Sequence, residues 1–353
     1  MSHERRPFEL ELSEPLSTAD GVIEQRRGFL VGVERSADGD TVRGLGEATP
    51  LPGWTESYDA CTTALENPPD AWGHVADTIG ERRPSTPAAR HGYRLAVLDA
   101  AARASDRSLA ALLADRGDFS TPSESVPVNA TVGDGSVTET VTAAREAVEA
   151  GFDCLKLKVG VRSLDADLDR VRAVADAVDA TIRVDANGAW RRESATAAVD
   201  ALAAIGVEYV EQPVPPEELS GLAALRGRGI EIAVDESVRD CGVDAVLDAE
   251  AADVAILKPM ALGGPDAATD IARRFVDAGV DPVVTTTIDG AVARAAAVHV
   301  AAAVPGTRAC GLATGELLAA DLGADPVPVV DGAITVPDGP GNVGAAFDDR
   351  LWD

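Results

Sequence analysis

The sequence predicts an α/β protein: a (β/α)8 barrel preceded by an N-terminal α+β capping domain. Three observations carry this. From about residue 126, short β-branched runs alternate with helical segments rich in Ala, Asp and Glu, the texture of parallel strands joined by crossover helices. The runs are VPVNATV, CLKLKV, IRVDAN, YVEQPV, IAVDES, VAILKPM, PVVTTTI and RACGLAT, eight in all and starting roughly 22–28 residues apart, which fits a closed TIM-type barrel in modified form. The residues before about 120 mix strand and helix without that alternation. An open doubly wound sheet fits less well, because no GxGxxG opens a helix.

Taken in order, FELEL and RGFLVGVE read as strands, and TVRGLGEATP as a third after an Asp-Gly turn. GEATPLPGW carries the Pro and Gly of a loop. ESYDACTTALE and AARHGYRLAVLDAAARA read as helices, the second with its apolar residues on one face. AVARAAAVHVAAAV, from Ala291, is Ala-rich but holds Arg294 and His299, so it fits a buried or amphipathic helix better than a membrane span. PVPVVDGAITVPDGPGN reads as a last hairpin or loop. The expected division is a capping domain over 1–120, a barrel over 121–315 and a tail over 316–353 that returns to the cap.

The net charge of −28 argues against nucleic acid or an anionic membrane as partner, since both would be repelled. The acids run along the whole chain, as in Asp165-Ala-Asp167-Leu-Asp169, and so describe a solvated surface. With few lysines, few aromatics and many alanines, this suggests adaptation to high salt, where screening acts over roughly 3 Å at about 1 M. MSHERRPFELELSEP has no apolar core of a signal peptide. Cys61, Cys154, Cys241 and Cys310 are scattered and form no CxxC, so a cytoplasmic protein with free thiols is expected.

Of 31 Lys and Arg residues only three are lysine: Lys156, Lys158 and Lys258. Arginine stays protonated, whereas lysine loses its proton when desolvated or crowded by positive charge. A chain that writes arginine elsewhere should keep lysine where a proton moves. Asp185 ends IRVD, Glu211 follows YV, Asp235 ends IAVD and Lys258 ends VAIL. C-terminal strand ends face the active site of such a barrel. Three carboxylates on successive strands would converge there, with Lys158 and Lys258 on opposite flanks. Crowded carboxylates need a cation, and three hard oxygen donors suit Mg²⁺. Lys156 and Lys158 share a strand face, and Lys156 with the metal would disfavour the protonated Lys158. A lone Asp at a strand end is often only a helix N-cap; three on successive strands, with lysines before and after, are a stronger pattern.

The set K-x-K, D-x-N, E-x-P, D-E-S and K-P resembles the enolase superfamily, muconate lactonizing enzyme subgroup, over nearly the whole chain. The resemblance implies Mg²⁺, with Mn²⁺ as a substitute, on Asp185, Glu211 and Asp235, the acid/base pair Lys158 and Lys258, and Lys156 as auxiliary lysine. Within the subgroup, GLGEATPLPGW, IRVDANGAW, VVTTTIDGAVA and CGLAT are similar to the o-succinylbenzoate synthase family. That similarity implies a small carboxylate substrate held by Arg183, Asn187, Thr286, Thr287 and Gly311, under cap loops around Leu16–Val22 and Glu47–Thr55, and leaves a homo-oligomer open. It implies removal of a proton α to a carboxylate by Lys158, then loss of a hydroxyl from the same face. Racemases of N-acylamino acids, dipeptide epimerases and muconate cycloisomerases share the metal and lysines. CGLATGE lacks the Asp-x-Asp that holds a dipeptide's amine, which lowers the dipeptide reading.

Overall fold

A computed structural model describes residues 2–18, 21–37, 40–74, 84–306 and 308–352. The tip of the first expected cap loop, residues 19–20, lies outside them. The chain opens on an antiparallel sheet in the order β1 (Ser2–Thr18), β2 (Gly21–Ala37), β3 (Asp40–Ala48). These strands run past the apolar stretches, because the flanking residues continue the same ladder: Glu4 opposes Gly32 and Arg6 opposes Leu30. The helix α1 (Tyr58–Glu66) starts where the Ser57 hydroxyl accepts from the Ala60 N–H. The helices α2 (Pro87–Ala104) and α3 (Leu109–Arg116) follow.

The expectation for α2 was one apolar face. Instead it is buried almost all round, between the cap sheet and the barrel. It approaches β3 so closely that a Cβ on Gly46 would stand 2.0 Å from the Gly92 carbonyl oxygen. Its polar residues are not solvated; each finds a buried partner. Arg90 and Arg94 both reach Asp266 (3.0 and 2.9 Å), and Asp99 accepts from the N–H groups of Leu45 and Asn342.

The barrel begins with β4 (Ser125–Pro127) and β5 (Ala130–Val132). It continues through α4 (Val137–Glu149), β6 (Cys154–Lys158), α5 (Leu164–Ala177), β7 (Thr181–Asp185), α6 (Arg192–Ile205), β8 (Tyr209–Glu211), α7 (Leu219–Leu225) and β9 (Glu231–Val234). Two short helices, α8 (Glu236–Asp240) and α9 (Val243–Asp248), lead to β10 (Val254–Leu257). Then come α10 (Pro259–Leu262), α11 (Pro265–Asp277), β11 (Asp281–Val284) and α12 (Ala291–Ala303). Capping sets several boundaries: Ser136 and Glu139 form a reciprocal box at α4, and Gly206 ends α6 in the left-handed region. Twelve of the thirteen residues of α12 are buried. No helix among the described residues is long and apolar enough to cross a membrane.

Strands β5 to β11 form one parallel sheet in chain order. The eighth run, RACGLAT, makes only bridges, from Cys310 to Val128 and from Gly311 to Thr285. They suffice to close the circle: Cys310 N–H donates to the Pro127 carbonyl (2.8 Å), and Gly311 N–H to that of Val284 (2.9 Å). The tail divides its contacts. The hairpin of β12 (Val329–Val330) and β13 (Ala333–Thr335) turns through Asp331 and Gly332, both at positive φ, and pairs with β4 at the foot of the barrel. Residues beyond it reach the cap: Leu109 N–H donates to the Gly341 carbonyl, and Arg103 pairs with Asp348. All four cysteines are free thiols.

Two buried carboxylates join cap to barrel. Asp266, at the start of α11, holds two guanidinium groups of α2. Replacing it removes the buried carboxylate that both guanidinium groups face, so Asp266→Ala should cost about 3–5 kcal/mol in chemical denaturation. Glu47, at the end of β3, accepts from the Gly290 and Ala293 N–H groups at the start of α12 (2.7 and 2.9 Å). Burial, and then the nearby Asp289 anion, push its carboxyl up to about 7. The folded state therefore holds this proton more tightly than the unfolded chain does. The contribution is present below the ordinary value of 4.5 and is lost as pH rises through about 7. The thermal midpoint of Glu47→Gln should fall less than that of the parent between these pH values.

Candidate active site

The three lysines and the three strand-end carboxylates meet at the C-terminal end of the parallel sheet. Register puts them there: Lys158 lies opposite Asp185, and Asp185 opposite Glu211. Glu211 opposes Ala233, two residues before Asp235. Lys156 and Lys158, two apart on β6, extend from the same face of the strand. Lys156 Nζ lies 3.3 Å from Asp185 Oδ2 and 3.2 Å from Glu211 Oε1. Lys158 Nζ lies 2.7 Å from Asp185 Oδ2 and 2.9 Å from Asn187 Oδ1. On the far side Lys258 Nζ pairs with Asp235 Oδ2.

The three carboxylates are buried. Burial opposes the Lys156 ammonium, but Glu211 and Asp185 outweigh it and hold it well above the usual lysine range. Burial also opposes the Asp185 anion, yet Lys158 and Lys156 hold its carboxyl well below the usual range. Glu211 goes the other way: burial, then the Asp185 anion, push it up to about 8. Glu236, next to Asp235 and close to Lys258, makes four carboxylates against three ammonium groups.

The turns beyond the strands are built around these residues. The Asn187 N–H caps Asp185 Oδ1 (3.0 Å), and its side-chain amide donates to Glu236 Oε1 (3.1 Å). Asn187 and Gln212 both sit at positive φ, 43° and 39°, uncommon for residues other than glycine. Gln212 secures the next turn. Its amide oxygen accepts from the Asp235 and Ser237 N–H groups (both 3.1 Å), and its nitrogen donates to the Val214 carbonyl and to Ser237 Oγ. Arg170, itself buried, fixes the end of β6 by donating to the Lys158 carbonyl (3.0 Å).

The expected convergence of the carboxylates on one point is not what the structure shows. Each turns to its nearest ammonium, and among the described residues no three His, Cys, Asp or Glu side chains close around a common centre that could hold a metal. The donor set still suits a hard divalent cation. Three buried carboxylates end three successive strands, and such hard oxygen donors are what a divalent cation of this kind takes.

Two of the expected substrate contacts lie elsewhere. Arg183 is one layer deeper, level with Lys156. Its guanidinium donates to Glu208 (2.5 Å) and to the Ala309 carbonyl (2.5 Å) and lies over the Tyr209 ring, so it belongs to the barrel interior. The Gly311 N–H is spent on the Val284 carbonyl that closes the barrel. Thr286 and Thr287 are nearly buried beyond β11; Thr286 bonds Thr314 (2.9 Å), and Thr287 donates to Asp289 (2.5 Å).

The cap loop supplies a residue that strand patterning does not reveal. Trp54 lies over Lys258, with Nζ 3.4 Å from the ring centroid. Arg239 packs on the same indole at 4.5 Å and donates to the Gly53 carbonyl (2.7 Å). Gln212 and Glu236 were legible only as the second letters of E-Q-P and D-E-S.

A parallel barrel whose mouth gathers paired lysines and carboxylates is a site for moving a proton beside a charged group. The chain belongs to the enolase superfamily: its residues 139–350 match the family described as enolase C-terminal domain-like. Curated relatives are o-succinylbenzoate synthases. That of Mycobacterium tuberculosis (strain ATCC 25618 / H37Rv) is 42% identical over 222 residues, 60% of this chain and 64% of the relative. That of Thermobifida fusca (strain YX) is 40% identical over 220 residues, 60% and 67% of the two chains. The match thus spans less than two thirds of the mycobacterial relative's length. Among solved structures, a dipeptide epimerase from Methylococcus capsulatus, complexed with Mg and a dipeptide, is 28% identical with a TM-score of 0.82, covering 97% of this chain and 98% of that one. Muconate lactonizing enzyme from Pseudomonas fluorescens shares the fold, with a TM-score of 0.83 at 23% identity over 99% and 98%.

The Gln212 clamp yields a direct test. Gln212→Leu would strand the Asp235 and Ser237 N–H groups and the Val214 carbonyl, while the Ser237 hydroxyl keeps its bond to the Pro216 carbonyl. It should cost about 2–4 kcal/mol in chemical denaturation, well beyond a surface substitution.

Proposed function

We propose that the protein is a Mg²⁺-dependent o-succinylbenzoate synthase of menaquinone biosynthesis, acting in the cytoplasm. It would dehydrate 2-succinyl-6-hydroxy-2,4-cyclohexadiene-1-carboxylate to 2-succinylbenzoate. The observation that carries this reading is the asymmetry of the two flanks: Lys158 opens toward the mouth while Lys258 is covered. A syn elimination needs one base on one face. The names of the curated relatives support the choice of substrate.

Asp185, Glu211 and Asp235 would hold Mg²⁺, which when bound supplies positive charge to the substrate carboxylate as its α-proton leaves. Lys158 Nζ takes that proton and returns it to the departing hydroxyl on the same face. Lys156 keeps positive charge beside Lys158 and between two of the carboxylates. Lys258, beside Asp235, supplies positive charge on the far flank of the site. Asn187 fixes Lys158 through its side-chain oxygen. Thr286 and Thr287 shape the wall that would face the succinyl end. The cap loop at Glu47–Thr55 keeps water from the mouth.

Turnover of the cyclohexadiene substrate in Mg²⁺ and molar salt, followed by the absorbance of the aromatic product, tests the reading; no product would overturn it. Lys158→Arg should lower kcat by about 10²–10⁴, because a guanidinium cannot accept the proton. The presence of a lysine on each flank favours, as a second reading, an N-acylamino acid racemase. Deuterium wash-in from solvent at an amino-acid Cα would reveal it.

We further propose that the acidic surface adapts the protein to high salt. Its unfolding midpoint should drop on transfer from molar to low salt, as self-repulsion loses its screening. An unchanged midpoint would contradict this.

A further inference from the structure

The three lysines do not meet the solvent alike. The Lys158 side chain is 35% exposed and, among the described residues, bonds an aspartate and an asparagine oxygen. The Lys258 side chain keeps 12%, and an aromatic ring lies against its ammonium at 3.4 Å. That ring is fixed in place. Residues 51–55 form a tight turn, with the Trp54 and Thr55 N–H groups donating to the Leu51 carbonyl (2.9 and 2.7 Å). Thr55 Oγ1 accepts from the Leu51 N–H (2.7 Å), and Gly53 takes the φ of 94° that the turn requires. Arg26, buried in the cap, ties the start of this loop to the barrel. It donates to the carbonyls of Thr49 and Pro50 and, across the junction, to that of Ile288. From the barrel side, Arg239 holds the Gly53 carbonyl and stacks on the indole.

We propose that Trp54 is a positioning residue that commits Lys258 to one role. The face of an indole attracts a cation, most strongly where water is excluded. Between Asp235 and Trp54 the Lys258 side chain is held in one place, with the indole face closing it from the cap side. The site is thereby one-sided: Lys158 moves protons and Lys258 supplies charge. Opening the second face would require Lys258 to take a proton from the substrate carbon onto its nitrogen lone pair, with the C–H electron pair passing into the substrate carboxylate. Trp54 prevents that exchange by denying Nζ the approach. This inference rests on the dehydratase reading for its catalytic consequence, but the covering of Lys258 stands on the geometry alone.

The scarcity of lysine makes the experiment clean. Full-length protein in Mg²⁺ and molar salt is treated briefly with acetic anhydride, and acetylation at the three lysines is quantified by peptide mass spectrometry. In the parent, Lys258 should react at least tenfold more slowly than Lys158. In Trp54→Leu the ratio of Lys258 to Lys158 acetylation should rise about tenfold; in Trp54→Phe, which retains a ring, it should stay near the parent's. Arg239→Ala, which frees the loop from its other support, should move the ratio in the same direction as Trp54→Leu. An unchanged ratio in both Trp54→Leu and Arg239→Ala overturns the proposal. For turnover, Trp54→Leu should lower kcat more than it changes KM, with Trp54→Phe restoring most of the loss. Equal losses in the two variants would overturn the positioning role. If the parent does not turn over the cyclohexadiene substrate, the function reading fails, and the acetylation ratios still decide the covering of Lys258.

Discussion

The contact of Lys156 with Asp185 and Glu211 is the constraint on which the mouth of the barrel depends. Burying a carboxylate alone costs several kcal/mol, and here two adjacent strands deliver one each to the same layer. An ammonium reaching up from the neighbouring strand is what makes that arrangement tolerable. It forces lysine rather than arginine at this depth, since a compact point charge can face two carboxylates that a planar fork could not serve equally. Asp185 must then share itself between Lys156 and Lys158, and Asn187 must turn back through a left-handed backbone to cap its other oxygen. The unusual conformations just beyond β7 and β8 follow from the same crowding.

Cap and barrel are joined by the same kind of device, a buried charge met by several donors. Asp266 takes two guanidinium groups from α2, Glu47 takes two N–H groups from the start of α12, and Arg26 spends itself on three carbonyls from two domains. None of these charges survives without its partners, so the junction is specific as well as stable. It sets the height of the Trp54 loop over the barrel, because the loop starts two residues after Glu47.

Much of this was legible in the sequence, and the reasons are local. Strand and helix alternation exposed the barrel because apolar runs of parallel strands are unbroken and their crossovers are polar. Lys156, Lys158 and Lys258 stood out because composition had emptied the rest of the chain of lysine. Asp185, Glu211 and Asp235 stood out because each interrupts an apolar run at its end. What was hidden required three dimensions. Arg183 shares a strand face with Asp185, and only register with Lys156 shows that it lies one layer below the mouth. Gly311 looked free to bind, but its N–H is consumed in closing the barrel. The all-round burial of α2 contradicts a one-faced pattern because residues far away in the chain pair with Arg90 and Arg94 and donate N–H groups to Asp99. Trp54 lies in a loop, where no periodicity announces what a side chain will cover.

The closure of the barrel at Cys310 and Gly311 has a consequence for how the molecule yields. Six of the eight junctions between neighbouring strands are zipped by paired ladders, whereas the two flanking this segment rest on single bridges. Local opening follows the least-bonded line, so the barrel parts here before it parts elsewhere. The hairpin of β12 and β13 pairs with β4, on one side of that line, and stiffens that side alone. The ring of strands therefore has a seam, and it lies where the last run of the barrel meets the first and the seventh.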